Sequence, residues 1–133
     1  MKKFLIIILI ALVFYSCSEV NNDCICTQEF RSYQVTVVDT LGVPVDSLTI
    51  TIKDKDGDEL DVQQQDQIFG PSKYTVLDDS FTRMFVSPTI AEKVTFTATD
   101  GMRTVTGEYL FNTDECKCHI NKVSGPDTLV LPY

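Results

Sequence analysis

Hydrophobic and polar residues alternate along most of the chain from about Phe30 onward. In these runs a hydrophobic residue recurs at every second position, which is the period of a β-strand with one buried face. The alternating runs cover residues 33–37, 48–52, 94–98 and 105–109. Turn-forming pairs such as Asp56-Gly57 and Asp100-Gly101 separate them. The pattern therefore predicts an all-β fold, a single antiparallel β-sandwich.

The amino terminus follows a different pattern. Two lysines, Lys2 and Lys3, precede an uninterrupted apolar run over residues 4–15, and Ser16-Cys17 follows it. Twelve apolar residues are too few to span a hydrocarbon core of about 30 Å as a helix. A positive start with a short apolar run is typical of a secretory signal. The small residue directly before a cysteine resembles the lipobox of bacterial lipoproteins, in the loose form of Bacteroidota-type sequences.

This resemblance implies how the chain is processed and where it resides. We expect a lipoprotein signal peptide over residues 1–16, a lipidated tether over 17–23 and a β-sandwich domain over 24–133. Cys17 would carry the acyl chains, such as palmitate, that hold the protein on a membrane. Ser18 after the cysteine implies the bacterial outer membrane, facing either the periplasm or the cell surface. Glu19 and Asp23 resemble the acidic residues that follow the cysteine in surface-exported lipoproteins.

A second resemblance concerns the sandwich itself. Residues 33–52 read as a strand, then Asp39, a turn with Gly42 and Pro44, and a second strand. This order resembles the opening hairpin of carboxypeptidase regulatory-like (transthyretin-like) domains, and residues 94–102 resemble a later strand and turn of those domains. The resemblance implies an immunoglobulin- or transthyretin-like sandwich with an accessory or binding role. It transfers no functional residue to this chain.

Four cysteines remain after Cys17, and they form two Cys-x-Cys pairs near the two ends of the domain. An even number in an exported chain indicates disulfides, with three connectivities open. If each pair lies in a strand, both cysteines share one face, and antiparallel partners keep a constant sum of residue numbers. The pairs Cys24–Cys118 and Cys26–Cys116 have equal sums, so we expect these two bonds. The alternative is Cys24–Cys116 with Cys26–Cys118.

A metal site is the competing interpretation of the same residues. Zinc or copper(I) could be bound by four thiolates and an imidazole. These ligands would be Cys24, Cys26, Cys116, Cys118 and His119. Structural zinc sites mostly place two to four residues between paired cysteines, not one. We therefore expect disulfides, no metal and no cofactor.

Other chemistry is weakly supported by the sequence. Lys and Arg number 11 against 19 Asp and Glu, a formal net charge of -8, which argues against nucleic-acid binding. Asp54, Asp56 and Asp58 alternate as in an EF-hand loop, but Glu59 and Gln65 occupy its glycine and glutamate positions. A hairpin turn is the better interpretation. No nucleophile elbow, HExxH, P-loop or dinucleotide motif occurs, so we do not expect an enzyme.

These observations together favour a binding or structural module of the cell envelope. The lipid anchor would provide its contact with the membrane. We expect its partner, another envelope protein or a glycan, to contact loops near residues 61–73 and 78–90, because loops on a rigid sandwich usually carry binding.

Overall fold

The computed structural model describes residues 24–64, 70 and 72–133. The expected signal peptide and tether, including Cys17, lie outside the described residues, as do residues 65–69 and 71 of the first expected binding loop. Within the described part, no helix combines the length and the apolar character needed to cross a bilayer.

The regular elements of the described chain are seven strands and one short 3₁₀ helix. In order, the elements are β1 (Ser32–Val38), β2 (Thr49–Lys53), β3 (Lys73–Asp78), a 3₁₀ helix η1 (Asp79–Met84), β4 (Glu92–Thr99), β5 (Thr104–Thr113), β6 (Ile120–Ser124) and β7 (Thr128–Val130).

The strands form two sheets that pack face to face. One sheet has the order β3-β1-β7 and the other β2-β4-β5-β6. The prediction of an all-β sandwich is confirmed. One pairing is not antiparallel, because β7 runs parallel to β1. The chain reaches this position after β6, where the Thr36 amide donates to Asp127 O and the Leu131 amide to Val38 O.

The core lies between the sheets and consists of the inward-facing positions of the alternating runs. In β1, Val35 and Val37 are buried, while their neighbours are partly exposed. In β4, Val94, Phe96 and Ala98 are fully buried, in phase with the predicted pattern. Burying each large side chain contributes about 1.5–3 kcal/mol, so this face holds the two sheets together.

Strand β3 departs from the alternating pattern, since Tyr74 to Asp78 are all buried. The Gln64 side chain covers its outer edge: its Oε1 accepts from the Thr75 amide at 2.8 Å, and its Nε2 donates to Thr75 O at 3.0 Å. A side-chain amide thus takes the place of a neighbouring strand. This contact makes residues 61–64 part of the sandwich and protects an edge that could otherwise pair with another chain.

Aspartate side chains shape the hairpin turns. Asp54 Oδ1 accepts hydrogen bonds from the Asp56 and Asp58 amides, both at 2.9 Å, so the predicted hairpin turn is confirmed at this position. At the β4–β5 turn, hydrogen bonds from the Arg103 and Met102 amides and the Arg103 guanidinium lower the pKa of Asp100 to about 2.

Candidate functional site

The four cysteines form two disulfides, Cys24–Cys116 and Cys26–Cys118, with Cα–Cα distances of 5.5 and 5.4 Å. The expectation that disulfides form is met. The preferred pairing, Cys24–Cys118 with Cys26–Cys116, is wrong, and the alternative connectivity is the one found.

The pairing differs because neither cysteine pair lies in a hydrogen-bonded ladder. Residues 24–31, which we call the entry segment, contain no strand. Cys116 and Cys118 lie in the β5–β6 turn, residues 114–119, where Lys117 has a left-handed φ of 54°. The constant sum of residue numbers holds only for paired antiparallel strands. It therefore gives no register for these two segments.

Asp114 organises the β5–β6 turn. Its Oδ1 accepts from the Cys118 amide at 2.8 Å and its Oδ2 from the His119 amide at 3.0 Å. Its carbonyl accepts from the Lys117 amide at 3.0 Å. These bonds hold the two cysteines of the turn in place and set the start of β6, so that the His119 side chain points toward η1.

Asp79, the first residue of η1, connects three parts of the chain. Its side chain is only 7% exposed. Oδ2 accepts from the Arg31 amide at 2.8 Å and contacts His119 Nδ1 at 2.7 Å, and Oδ1 accepts from the Ile120 amide at 2.8 Å. One carboxylate thus joins the entry segment, η1 and the start of β6.

The hydrogen bonds determine the charge of this buried carboxylate. Burial alone would raise the pKa of Asp79, but the hydrogen bonds from the Arg31 amide, His119 and the Ile120 amide lower it below its ordinary value of 3.8. Asp79 is therefore ionised at neutral pH and can only accept hydrogen bonds.

The ionised carboxylate also sets the tautomer of His119. The His119 side chain is 8% exposed, and its Nε2 lies 2.8 Å from Thr27 Oγ1. Because Asp79 can only accept, Nδ1 carries the proton that it donates to Oδ2. In the neutral ring, Nε2 is then an acceptor, and the Thr27 hydroxyl donates to it. The three side chains form a continuous hydrogen-bonded chain, Thr27–His119–Asp79.

A cleft of about 370 Å³ opens at this end of the sandwich, between the entry segment and the β5–β6 turn. Thr27, at the outer end of the hydrogen-bonded chain, is exposed and faces it. The cleft is lined by Ile25, Cys26, Thr27, Asp114, Glu115, Cys116, Cys118 and His119.

The structure brings together all five residues of the alternative metal site, although not as metal ligands. The four sulfurs are bonded in pairs, and a disulfide sulfur is not a thiolate ligand. Both ring nitrogens of His119 have hydrogen-bond partners. Within residues 24–64, 70 and 72–133, no group of three or more His, Cys, Asp or Glu side chains is arranged to hold a metal ion.

The second expected binding loop, residues 78–90, begins at the last residue of β3 and is not a single loop. Residues 79–84 form η1. Residues 85–91, between η1 and β4, form a loop whose first two residues are hydrogen-bonded to neighbouring elements: Lys117 Nζ donates to Phe85 O at 2.9 Å, and the Val86 amide donates to Glu92 Oε1 at 3.0 Å. We call residues 85–91 the η1–β4 loop. Its Val86 and Ile90 are 80% and 64% exposed.

Sequence reasoning identified the cysteines and His119 but missed Thr27 and Asp79. No local signal points to them, because Thr27 is 92 residues from His119 and Asp79 is 40 residues from it. Only the tertiary fold brings them into contact.

Compared with protein-family models, curated proteins and solved structures, the chain has no significant match.

Replacing Asp79 tests its role in linking the three segments. At pH 7 we expect Asp79→Asn to lower the free energy of unfolding by about 1–3 kcal/mol, because the amides it binds lose a charged acceptor. The folded-state pKa of Asp79 is lowered, so its contribution is complete above the ordinary value of 3.8, which applies to the unfolded chain, and is lost as pH falls through the folded value. Urea unfolding across pH should show the difference between wild type and variant shrinking below about pH 4.

Asp61→Asn, at an exposed carboxylate, is the matched control and should change stability little. A stability difference for Asp79→Asn that stays constant from neutral to acid pH would contradict this role.

The two disulfides should be strongly non-additive. Each spans a sequence separation of 92 residues, so whichever bond is present already closes the long loop. In the loop-closure treatment, removing one bond opens a ring of about five residues and costs about 2 kcal/mol, whereas removing both costs about 6–7 kcal/mol. Denaturant unfolding of Cys24→Ala/Cys116→Ala, Cys26→Ala/Cys118→Ala and the quadruple variant measures this. Additive costs would show that the bonds act on separate parts of the fold.

Proposed function

We propose that this protein is a lipid-anchored β-sandwich of the bacterial outer membrane, serving as a binding or structural module of the cell envelope. The lysines, apolar run and cysteine at the amino terminus support the anchor at Cys17. The two disulfides support an oxidising compartment, since such bonds persist mainly in exported proteins.

The position of the disulfides bears on how the anchor would hold the domain. Seven residue steps separate Cys17 from Cys24, and a fully extended chain of that length reaches at most about 25 Å. Because Cys24 is bonded to the β5–β6 turn, that end of the sandwich would stay close to the membrane surface. The end of the domain that contains the β5–β6 turn would then be the one that meets its neighbours at the membrane surface.

The η1–β4 loop is the observation that carries the binding role. Lys117 connects this loop to the β5–β6 turn, so it lies at the same end of the sandwich as the disulfides. It exposes Val86 and Ile90 on a short segment whose first two residues are hydrogen-bonded to Lys117 and Glu92. Exposed hydrophobic side chains on a short loop anchored in this way lose less conformational entropy on binding than those on a free segment. The partner we propose is another envelope protein or a glycan at the membrane surface.

Two variants of the full chain, expressed in its own cells, test this proposal. Cys17→Ala should move the protein out of the outer-membrane fraction, because it removes the acylated thiol. Val86→Asp/Ile90→Asp should leave the protein in that fraction and weaken a crosslinked envelope complex at least tenfold, because charges would be buried in the contact. Quantitative crosslinking of intact cells measures the second effect.

Met102→Asp is the matched control. Met102 is 95% exposed at the β4–β5 turn, at the opposite end of β5 from the β5–β6 turn. It should retain the complex. Equal loss of the complex in Met102→Asp and in Val86→Asp/Ile90→Asp would contradict the proposal. So would retention of Cys17→Ala in the outer-membrane fraction.

Thiol-based metal binding is the second candidate, because Cys24, Cys26, Cys116, Cys118 and His119 meet at one end of the fold. A thiol titration of the denatured, unreduced chain separates the two candidates. With Cys17 acylated, we expect no free thiol and no bound zinc. About four free thiols, released together with one equivalent of zinc or copper, would support the metal-binding function instead.

A further inference from the structure

The Thr27–His119–Asp79 chain has the geometry of a nucleophile, a base and an orienting acid. Thr27 Oγ1 lies 2.8 Å from His119 Nε2, and His119 Nδ1 lies 2.7 Å from Asp79 Oδ2. Exposure decreases along this hydrogen-bonded chain in the same order. Thr27 is exposed, whereas the side chains of His119 and Asp79 are only 8% and 7% exposed. A reactive hydroxyl would need this order, with the nucleophile at the cleft and the acid buried behind the base.

His119 can act as a base toward Thr27 only if the hydrogen bonds run in the right direction. Asp79 is ionised and also accepts from the Arg31 and Ile120 amides, so the carboxylate cannot turn away from His119 without leaving both amides unpaired. In its neutral form the ring is thus held with Nδ1–H toward Asp79 and the Nε2 lone pair toward Thr27. The Thr27 hydroxyl must donate, which places its proton on the path to a base.

We infer that Thr27 is the nucleophile of an acyl-transfer site, with His119 as its general base and Asp79 as the positioning residue. This inference goes beyond the proposed envelope role and does not depend on it. It also departs from the expectation, drawn from sequence motifs, that the chain is not an enzyme.

The reaction would transfer an acyl group from an ester first to Thr27 and then to water. Thr27 Oγ1 adds to the carbonyl carbon of an ester while its proton moves to His119 Nε2. The tetrahedral intermediate collapses, the bond to the leaving oxygen breaks, and that oxygen takes the proton from His119. Thr27 then carries the acyl group as an ester. Attack by water, deprotonated by His119, releases the carboxylic acid and restores the hydroxyl.

The cleft indicates which esters would react. Asp114 and Glu115 line it on one side, and Ile25 and the disulfides contribute apolar surface. The whole chain has a net charge of -8. Anionic acyl donors are therefore repelled, and uncharged esters of small acids are favoured. Because threonine is β-branched, its hydroxyl is crowded, and a serine at this position should react faster.

The test is acylation of the purified full chain, held in detergent, by p-nitrophenyl acetate, with the modified residue located by mass spectrometry. We expect acetyl on Thr27 and faster acylation in Thr27→Ser. Thr27→Val keeps the shape of the side chain and removes the hydroxyl, so acylation at this position should disappear. Asp79→Asn should slow acylation of Thr27 by about 10²–10⁴-fold, because an asparagine amide can donate to Nδ1 and reverse the tautomer.

The choice of variants and a second ester separate catalysis from a structural role. Thr27→Val and Thr27→Ser lie at an exposed position, so both should fold as the wild type does, and any difference in acylation is not a folding defect. The anionic ester p-nitrophenyl hemisuccinate should react at least tenfold more slowly than the acetate. Acetyl spread evenly over surface hydroxyls and lysines, no acylation at residue 27 in either wild type or Thr27→Ser, or equal rates in wild type and Asp79→Asn would each overturn the inference.

Discussion

The buried carboxylate of Asp79 is the interaction on which one end of this protein depends. The entry segment has no strand of its own and cannot join either sheet through a ladder. It is held at Arg31: the Arg31 amide donates a hydrogen bond to Asp79 Oδ2, and the Asp79 amide donates one to Arg31 O at 3.0 Å. The same carboxylate accepts from His119 and Ile120, so the start of β6 is positioned by the group that positions the entry segment. A carboxylate can do this because it accepts several hydrogen bonds at once.

The disulfides and the Asp79 contacts act on different states of the chain. A disulfide stabilises mainly by restricting the unfolded chain, and two bonds of equal span restrict nearly the same loop. The Asp79 contacts exist only in the folded state, and they determine how the entry segment and the β5–β6 turn face each other. The covalent bonds keep the two segments together, and the hydrogen bonds define the cleft between them. The exposed Thr27 hydroxyl and the buried His119 ring meet because both kinds of constraint apply at this end.

The sequence predicted the parts of the fold that depend on short-range pattern. Alternation identified β1, β2, β4 and β5, because each buries one face and exposes the other. It did not identify β3, whose residues from Tyr74 onward are all buried, so that no alternation marks the strand. No local feature of the sequence predicts the parallel pairing of β7 with β1, because it depends on where the chain after β6 meets the other sheet. The even number of cysteines predicted disulfides. The rule that selected their partners applies to paired strands, however, and neither cysteine-containing segment is a strand. The Thr27–His119–Asp79 chain depends on contacts between distant segments, and no periodicity in the sequence encodes it.

The tautomer of His119 shows directly whether Asp79 holds the ring in place. The chain contains a single histidine, so the side-chain nitrogen signals of a ¹⁵N-labelled sample belong to His119 without further assignment. If Asp79 holds the ring as described, a long-range ¹H–¹⁵N spectrum of the neutral imidazole will show a protonated Nδ1 and an unprotonated Nε2. A neutral imidazole protonated at Nε2 instead of Nδ1, or one exchanging freely between the two tautomers, would show that Asp79 does not hold the ring.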